Sequence, residues 1–144
     1  MNPKMTAQQA FQGVLIHAHA ADLETGLVPM TVNDLPPENE IGFRIEGNPE
    51  MAMRVVWVSE DRCTAVMIER VGPCKVIGKH MTEVFYVVRG GWTARRPDGT
   101  EYEIKAGDFA CYAEGQQEEA TVQEGFLKCS LYHRSQPLPF EVTP

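Results

Sequence analysis

The chain has 144 residues, 43% of them hydrophobic and 23% charged, which is enough for one packed core and too short for two comfortable domains. A net charge of −7 disfavours nucleic acid and anionic membrane as partners, and no apolar run approaches the roughly 18 residues of a membrane-spanning helix. Residues 1–13, MNPKMTAQQAFQG, lack the unbroken apolar stretch of a signal peptide, so a cytoplasmic location is expected.

Along the first fifty residues the signals are mixed. Over 5–24, Phe11, Val14, Leu15, Ala18 and Ala21 recur at helical spacing, while the shorter VLIHAHA also reads as a strand. His17 and His19 within it share a face suited to chelation only if that segment is extended. Pro29 and the stretch NDLPPENE (33–40) start a non-helical connection, and IGFRIEG (41–47) reads as a short strand or arm.

From residue 51 the pattern becomes that of strands. MRVVWVS (53–59) and CTAVMIERV (63–71) flank the polar turn SEDR and predict a hairpin. EVFYVV (83–88) and WTARR (92–96) follow, then the tight-turn sequence PDGT. TEYEI (100–104), FACY (109–112) and GFLKCSLYH (125–133) complete the series, and the proline-containing tail RSQPLPFEVTP ends regular structure or leaves an extended arm. Short strands at this spacing, with no helical intervals between them, predict an all-β sandwich or barrel. The four cysteines, Cys63, Cys74, Cys111 and Cys129, include no CxxC pair and sit in or beside apolar stretches, so reduced thiols are expected rather than a zinc knuckle.

The stretch 70–133 resembles the cupin superfamily, and most closely a single-domain branch with degenerate metal motifs. Glu83 and Gly90 match the glutamate and closing glycine of the first cupin motif, with Gly72 as a possible first glycine. Gly107, Asp108 and Gly115 match the second motif, in which Ala113 replaces the usual proline and Glu118 stands at the histidine position. The first-motif histidines would fall near Val76, Ile77, Gly78 and Lys79, so of the family's three-histidine, one-glutamate metal set only the glutamate remains. The resemblance implies a double-stranded β-helix, or jelly-roll, closed as a barrel over residues 50–134. Residues 1–49 would be an extension packed on it, residues 135–144 a tail, and the protein a homodimer.

The same resemblance and the residue chemistry together nominate a site. Glu83 shares a strand face with Phe85 and Val87, and a carboxylate on an inward face is costly unless paired, hydrogen-bonded or metal-bound. His80 stands close enough to Glu83 for a His–Glu pair, and these two are the candidates for holding a divalent metal with unusual ligands. His80, Glu83 and Glu118 are the candidate acid–base groups. Lys79, Phe85, Phe109, Tyr112 and His133 are the candidate ligand contacts. Two functions compete: a small-molecule-binding protein without catalysis, and an isomerase or hydrolase acting on a small polar or anionic metabolite.

Overall fold

The structure is a computed structural model that describes residues 22–139. The helix expected over 5–24 lies outside the described residues, with His17 and His19, except for its last three positions. There Thr25 N–H closes a turn by donating to the Asp22 carbonyl at 3.0 Å. The described chain runs through β1 (Val28–Met30), a 3-10 turn (Val32–Asp34), α1 (Glu38–Ile41), β2 (Phe43–Glu46), β3 (Met51–Val58) and β4 (Thr64–Val71). It continues through β5 (Cys74–Lys79), β6 (Thr82–Arg89), β7 (Gly91–Arg95), β8 (Glu101–Lys105), β9 (Phe109–Tyr112), β10 (Gln117–Val122) and β11 (Phe126–His133). No helix among the described residues is long and apolar enough to cross a membrane.

The strands form two antiparallel sheets packed face to face, as in jelly-rolls: β1-β3-β4-β11-β6-β9 and β2-β5-β10-β7-β8. The expectation of a closed barrel is therefore corrected. Among the described residues no strand pairing joins one sheet to the other. The outermost strands, β1 and β9 in one sheet and β2 and β8 in the other, are each hydrogen-bonded on one side only. Closure needs edge strands that tilt and meet in register. Here the edges are short, only three residues in β1 and four in β2 and β9.

Alternation sets which side chains enter the space between the sheets. In β10 the odd positions are exposed while Glu118, Ala120 and Val122 are buried. In β6 Glu83, Phe85 and Val87 are buried, as their shared strand face requires. Phe85, Val87, Trp92, Ala94, Tyr112, Ala120, Val122 and Phe126 form the main apolar core, with Trp92 edge-on to Phe126 at 5.1 Å between ring centroids. A second cluster joins Ala65, Met67, Met81 and Leu138. Full burial of a side chain such as Phe85 contributes about 1.5–3 kcal/mol.

The two glycines after β6 mark the crossing from one sheet to the other. Gly90 adopts φ +69, and a Cβ there would lie 2.7 Å from the Phe126 Cα. At Gly91 a Cβ would lie 2.1 Å from the Ile104 carbonyl oxygen, so β7 and β8 approach as closely as they do only without a side chain. Besides the three-residue β1, two strands had no clear signal in the sequence. β5 (CKVIGK) is broken by a glycine and two lysines, and β10 (QEEATV) is mostly polar, yet they pair along their whole length from Gln117↔Lys79 to Val122↔Cys74.

Candidate functional site

Between the sheets lies a cavity of about 160 Å³, adjoined by a second chamber of about 480 Å³ toward the β1–α1 segment; Met30, Leu35, Phe43, Met53, Met81 and Tyr132 are among the residues common to both walls. All five methionines of the described residues (Met30, Met51, Met53, Met67 and Met81) line one chamber or the other. Unbranched, polarizable thioethers make such a wall adaptable to more than one ligand shape. Two groups of polar side chains interrupt it.

The first group belongs to the six-stranded sheet. On β11 the residues Phe126, Lys128, Ser130 and Tyr132 share one face. Lys128 faces Glu69 of β4 directly, and Tyr132 faces Glu83 of β6. The Lys128 ammonium donates to Glu83 Oε1 and lies 3.3 Å from Glu69 Oε2. Ser130 Oγ donates to the same Glu83 oxygen at 3.0 Å, and Tyr132 OH donates to Glu69 Oε2 at 2.7 Å. Lys128, Glu83 and Ser130 are all buried. The aromatic rings of Tyr132, Phe85 and Trp92 surround the ammonium with centroids 5.3, 5.5 and 5.9 Å away. Burial pulls the Lys128 pKa down, but the charges of Glu83 and Glu69 outweigh it and hold the ammonium above the usual lysine value. Burial, reinforced by the same two carboxylates, pushes the Tyr132 phenol well up.

The second group centres on Glu118 of β10 and Tyr102 of β8 in the five-stranded sheet, with His80 from the segment after β5 and Tyr112 from β9 of the six-stranded sheet. Glu118, 4% exposed, places Oε1 2.8 Å from His80 Nε2, and its other oxygen accepts from Tyr102 OH. The Tyr102 and Tyr112 hydroxyls are 2.6 Å apart, and Trp92 Nε1 donates to Tyr112 OH at 3.2 Å. The His80 ring stacks on Tyr112 with centroids 3.7 Å apart and planes 5° from parallel. Burial raises the Glu118 pKa, yet the hydrogen bonds from His80 and Tyr102 prevail and hold the carboxyl below its ordinary value. The Tyr102 and Tyr112 phenols are both raised, chiefly by burial. Among the described residues, no buried side-chain nitrogen or oxygen lacks a hydrogen-bond partner.

Of the residues nominated from sequence, His80, Glu118 and Tyr112 come together. Glu83 does not join them; it is held with Lys128 above the Phe85 ring. Lys79, exposed at the end of β5, stands at the cavity wall. His133 sits on the outward face of β11, its Nδ1 2.9 Å from Thr64 Oγ1, and Phe109 is 73% exposed on the edge strand β9; neither lines a chamber. Of the two residues that end the last strand, Tyr132 rather than His133 faces the cavity, and Lys128, Glu69, Ser130 and Tyr102 belong to the polar groups without having been nominated from sequence. A signal existed for them in period-two spacing: Lys128 and Ser130 lie in register with Phe126 and Tyr132 in FLKCSLYH, and Glu69 with Met67 and Val71.

The divalent metal that the resemblance raised does not fit these residues. His80 and Glu83, its two candidate ligands, belong to separate hydrogen-bonded groups, and the Glu83 carboxylate already receives an ammonium. Among the described residues no three or more His, Cys, Asp or Glu side chains are placed to hold a metal ion.

Comparison with known proteins agrees with this architecture. Residues 59–129 match the family model described as the EutQ-like cupin domain. No curated protein matches the chain. Similar solved structures include a protein of unknown function from Pseudomonas syringae pv. tomato, with 16% identity and a TM-score of 0.60 over 76% of this chain and 45% of that one. A cupin-like protein from Thermotoga maritima has 14% identity and a TM-score of 0.51 over 63% of this chain and 72% of that one. The EutQ protein of Clostridium difficile has 11% identity and a TM-score of 0.51 over 60% and 70% respectively. At these identities the likeness concerns the fold alone.

Proposed function

The chain belongs to the cupin superfamily, and from that premise we propose that it is a small-molecule-binding protein whose ligand enters the space between the two sheets. The observation that carries this reading is the composition of the cavity wall. Apolar and methionine side chains surround two fixed polar groups, Lys128–Glu83–Glu69 and His80–Glu118–Tyr112. Such a wall suits a compact molecule with an apolar body and a few polar atoms that bind at fixed points. Lys79 at the wall is the candidate for steering an anionic group.

The test uses protein labelled with ¹³C at its methionine methyl groups and a panel of small neutral alcohols, amides and carboxylates. A binding compound is expected to shift the Met51 and Met53 methyl signals, and a cavity-filling Ala120→Met variant is expected to lose that response. If no compound moves these signals, or if Ala120→Met responds like wild type, the binding reading fails. A second reading, isomerase or hydrolase chemistry, is favoured by one contact, the 2.8 Å approach of His80 Nε2 to the buried Glu118 carboxylate. Such a pair can hold and pass a proton. Following each hit for conversion over hours, in wild type and His80→Gln, separates the two readings.

The four thiols, all free, suit a reducing compartment such as the cytoplasm. A homodimer through the outer face of the six-stranded sheet is also part of the proposal. Phe109 and Tyr86 are direct cross-strand partners there, 73% and 46% exposed. Sedimentation velocity is expected to give a dimer for wild type and a monomer for Phe109→Glu; a monomeric wild type refutes it.

A further inference from the structure

Glu83 stands where the family resemblance places a metal-binding glutamate, and in this structure that carboxylate already holds a positive charge. We propose that the ammonium of Lys128 is the resident cation of this cavity, occupying the position at which Glu83 would otherwise bind a metal ion.

Four observations lead there. Lys128 reaches Glu83 from the next strand, in the same inward register, and contacts Glu69 on the strand beyond. Ser130 and Tyr132, from the same face of β11, hydrogen-bond one to each carboxylate, so both acids are oriented toward one point. The rings of Phe85, Trp92 and Tyr132 surround the charge and limit its exchange with water. Finally, the histidines that would complete a metal set are absent: Glu118 stands at one position, and His80 is bonded to that Glu118.

The substitution changes what the cavity can do. An ammonium has three N–H donors and no open coordination position. One is given to Glu83, and Glu69 lies at ion-pair distance, 3.3 Å away. A remaining N–H is the group's means of contacting a ligand oxygen, as a hydrogen-bond donor rather than as a Lewis acid. With two carboxylates around one ammonium the group does not favour an anion. A neutral hydroxyl or carbonyl oxygen is the partner it takes. This assignment rests on the geometry of the lysine and its two carboxylates and does not require the binding reading above to hold.

The consequence is testable without knowing a ligand. Lys128→Ala removes the ammonium and leaves two carboxylates and two hydroxyls facing one vacated space, an all-oxygen set suited to Mn²⁺. The measurements are thermal unfolding and Mn²⁺ binding by electron paramagnetic resonance, made on wild type, Lys128→Ala, and Lys128→Ala combined with Glu83→Gln. Wild type is expected to show no Mn²⁺ binding that depends on Glu83. Lys128→Ala is expected to bind one Mn²⁺, with a rise in Tm of roughly 5–10 °C at a hundredfold excess over Kd, and the double variant to lose it. Stoichiometric, Glu83-dependent Mn²⁺ in wild type overturns the proposal, and so does a Lys128→Ala protein that Mn²⁺ leaves unchanged. Where Lys128→Ala does not fold alone, refolding with and without Mn²⁺ makes the same comparison. Metal-dependent recovery supports the assignment, and equal failure in both overturns it.

Discussion

Lys128→Met is expected to destabilise the protein by about 3–5 kcal/mol, the largest effect of any single substitution in the cavity wall. Methionine fills nearly the same volume, so the loss does not come from an empty space. It comes from Glu83 and Glu69, which lose their shared cation while Glu83 stays buried. If this is the cause, neutralising the acids should recover much of the loss. The triple variant Glu69→Gln, Glu83→Gln, Lys128→Met is expected to lie closer to wild type than Lys128→Met does, although each single change destabilises. Urea unfolding at constant m-value measures all of these. Equal additive losses would show that the groups act independently and that the network is not a unit. The lysine also sets a pH dependence. Its folded pKa is raised, so its contribution is complete below the ordinary lysine value of 10.5 and is lost only as pH rises through the higher folded value.

The strands visible in the sequence were runs dominated by strand-forming residues. EVFYVV and FACY announce themselves by β-branched and aromatic residues, and both occur within strands near those bounds. β10 was hidden because its outward Gln117 and Glu119 flank the inward Glu118, so with Gln116 four consecutive polar positions look like a solvated run. Its pairing partner β5 was hidden by Gly78, whose φ of +141 and close approach to the Gly42 carbonyl belong to backbone packing rather than to strand propensity. The expectation of closure failed for a related reason. Alternation reports which side of a strand faces the core, but edge pairing depends on strand length and tilt, which no local pattern records.

The polar site follows the same logic. Glu83 was recognisable as an acid on an apolar face, and His80 by its nearness in sequence. What the sequence did not contain is the partner choice. His80 is three residues from Glu83 and 38 from Glu118, yet it bonds to Glu118 because β5 and β10 are adjacent and the chain after Lys79 runs beside Gln116, whose carbonyl accepts the His80 N–H at 2.9 Å. Glu83 meanwhile lies in the other sheet, where β11 supplies Lys128. The family resemblance placed the two acids in one group; sheet order places them in two.

Glu118 is the residue on which the second group depends, and its loss should be felt in stability and in pH response together. Glu118→Ala leaves His80 Nε2 and Tyr102 OH without their acceptor in a largely buried setting, at an expected cost of about 2–4 kcal/mol. Glu118→Gln keeps one acceptor oxygen and should cost less. The pH dependence has a definite sign. The folded Glu118 pKa lies below its unfolded value of about 4.5, so the stabilisation is fully present above that value. It is lost as pH falls below 4.5 and through the lower folded value, where the protonated acid no longer attracts its partners. Because other carboxylates titrate in the same range, the informative quantity is the stability difference between wild type and Glu118→Gln. That difference should shrink as pH falls below about 4.5 and through the lower folded value. Parallel curves across the whole range would mean that the glutamate charge is not what holds His80, Tyr102 and Tyr112 in place, and the cavity wall would then owe its order to ring packing alone.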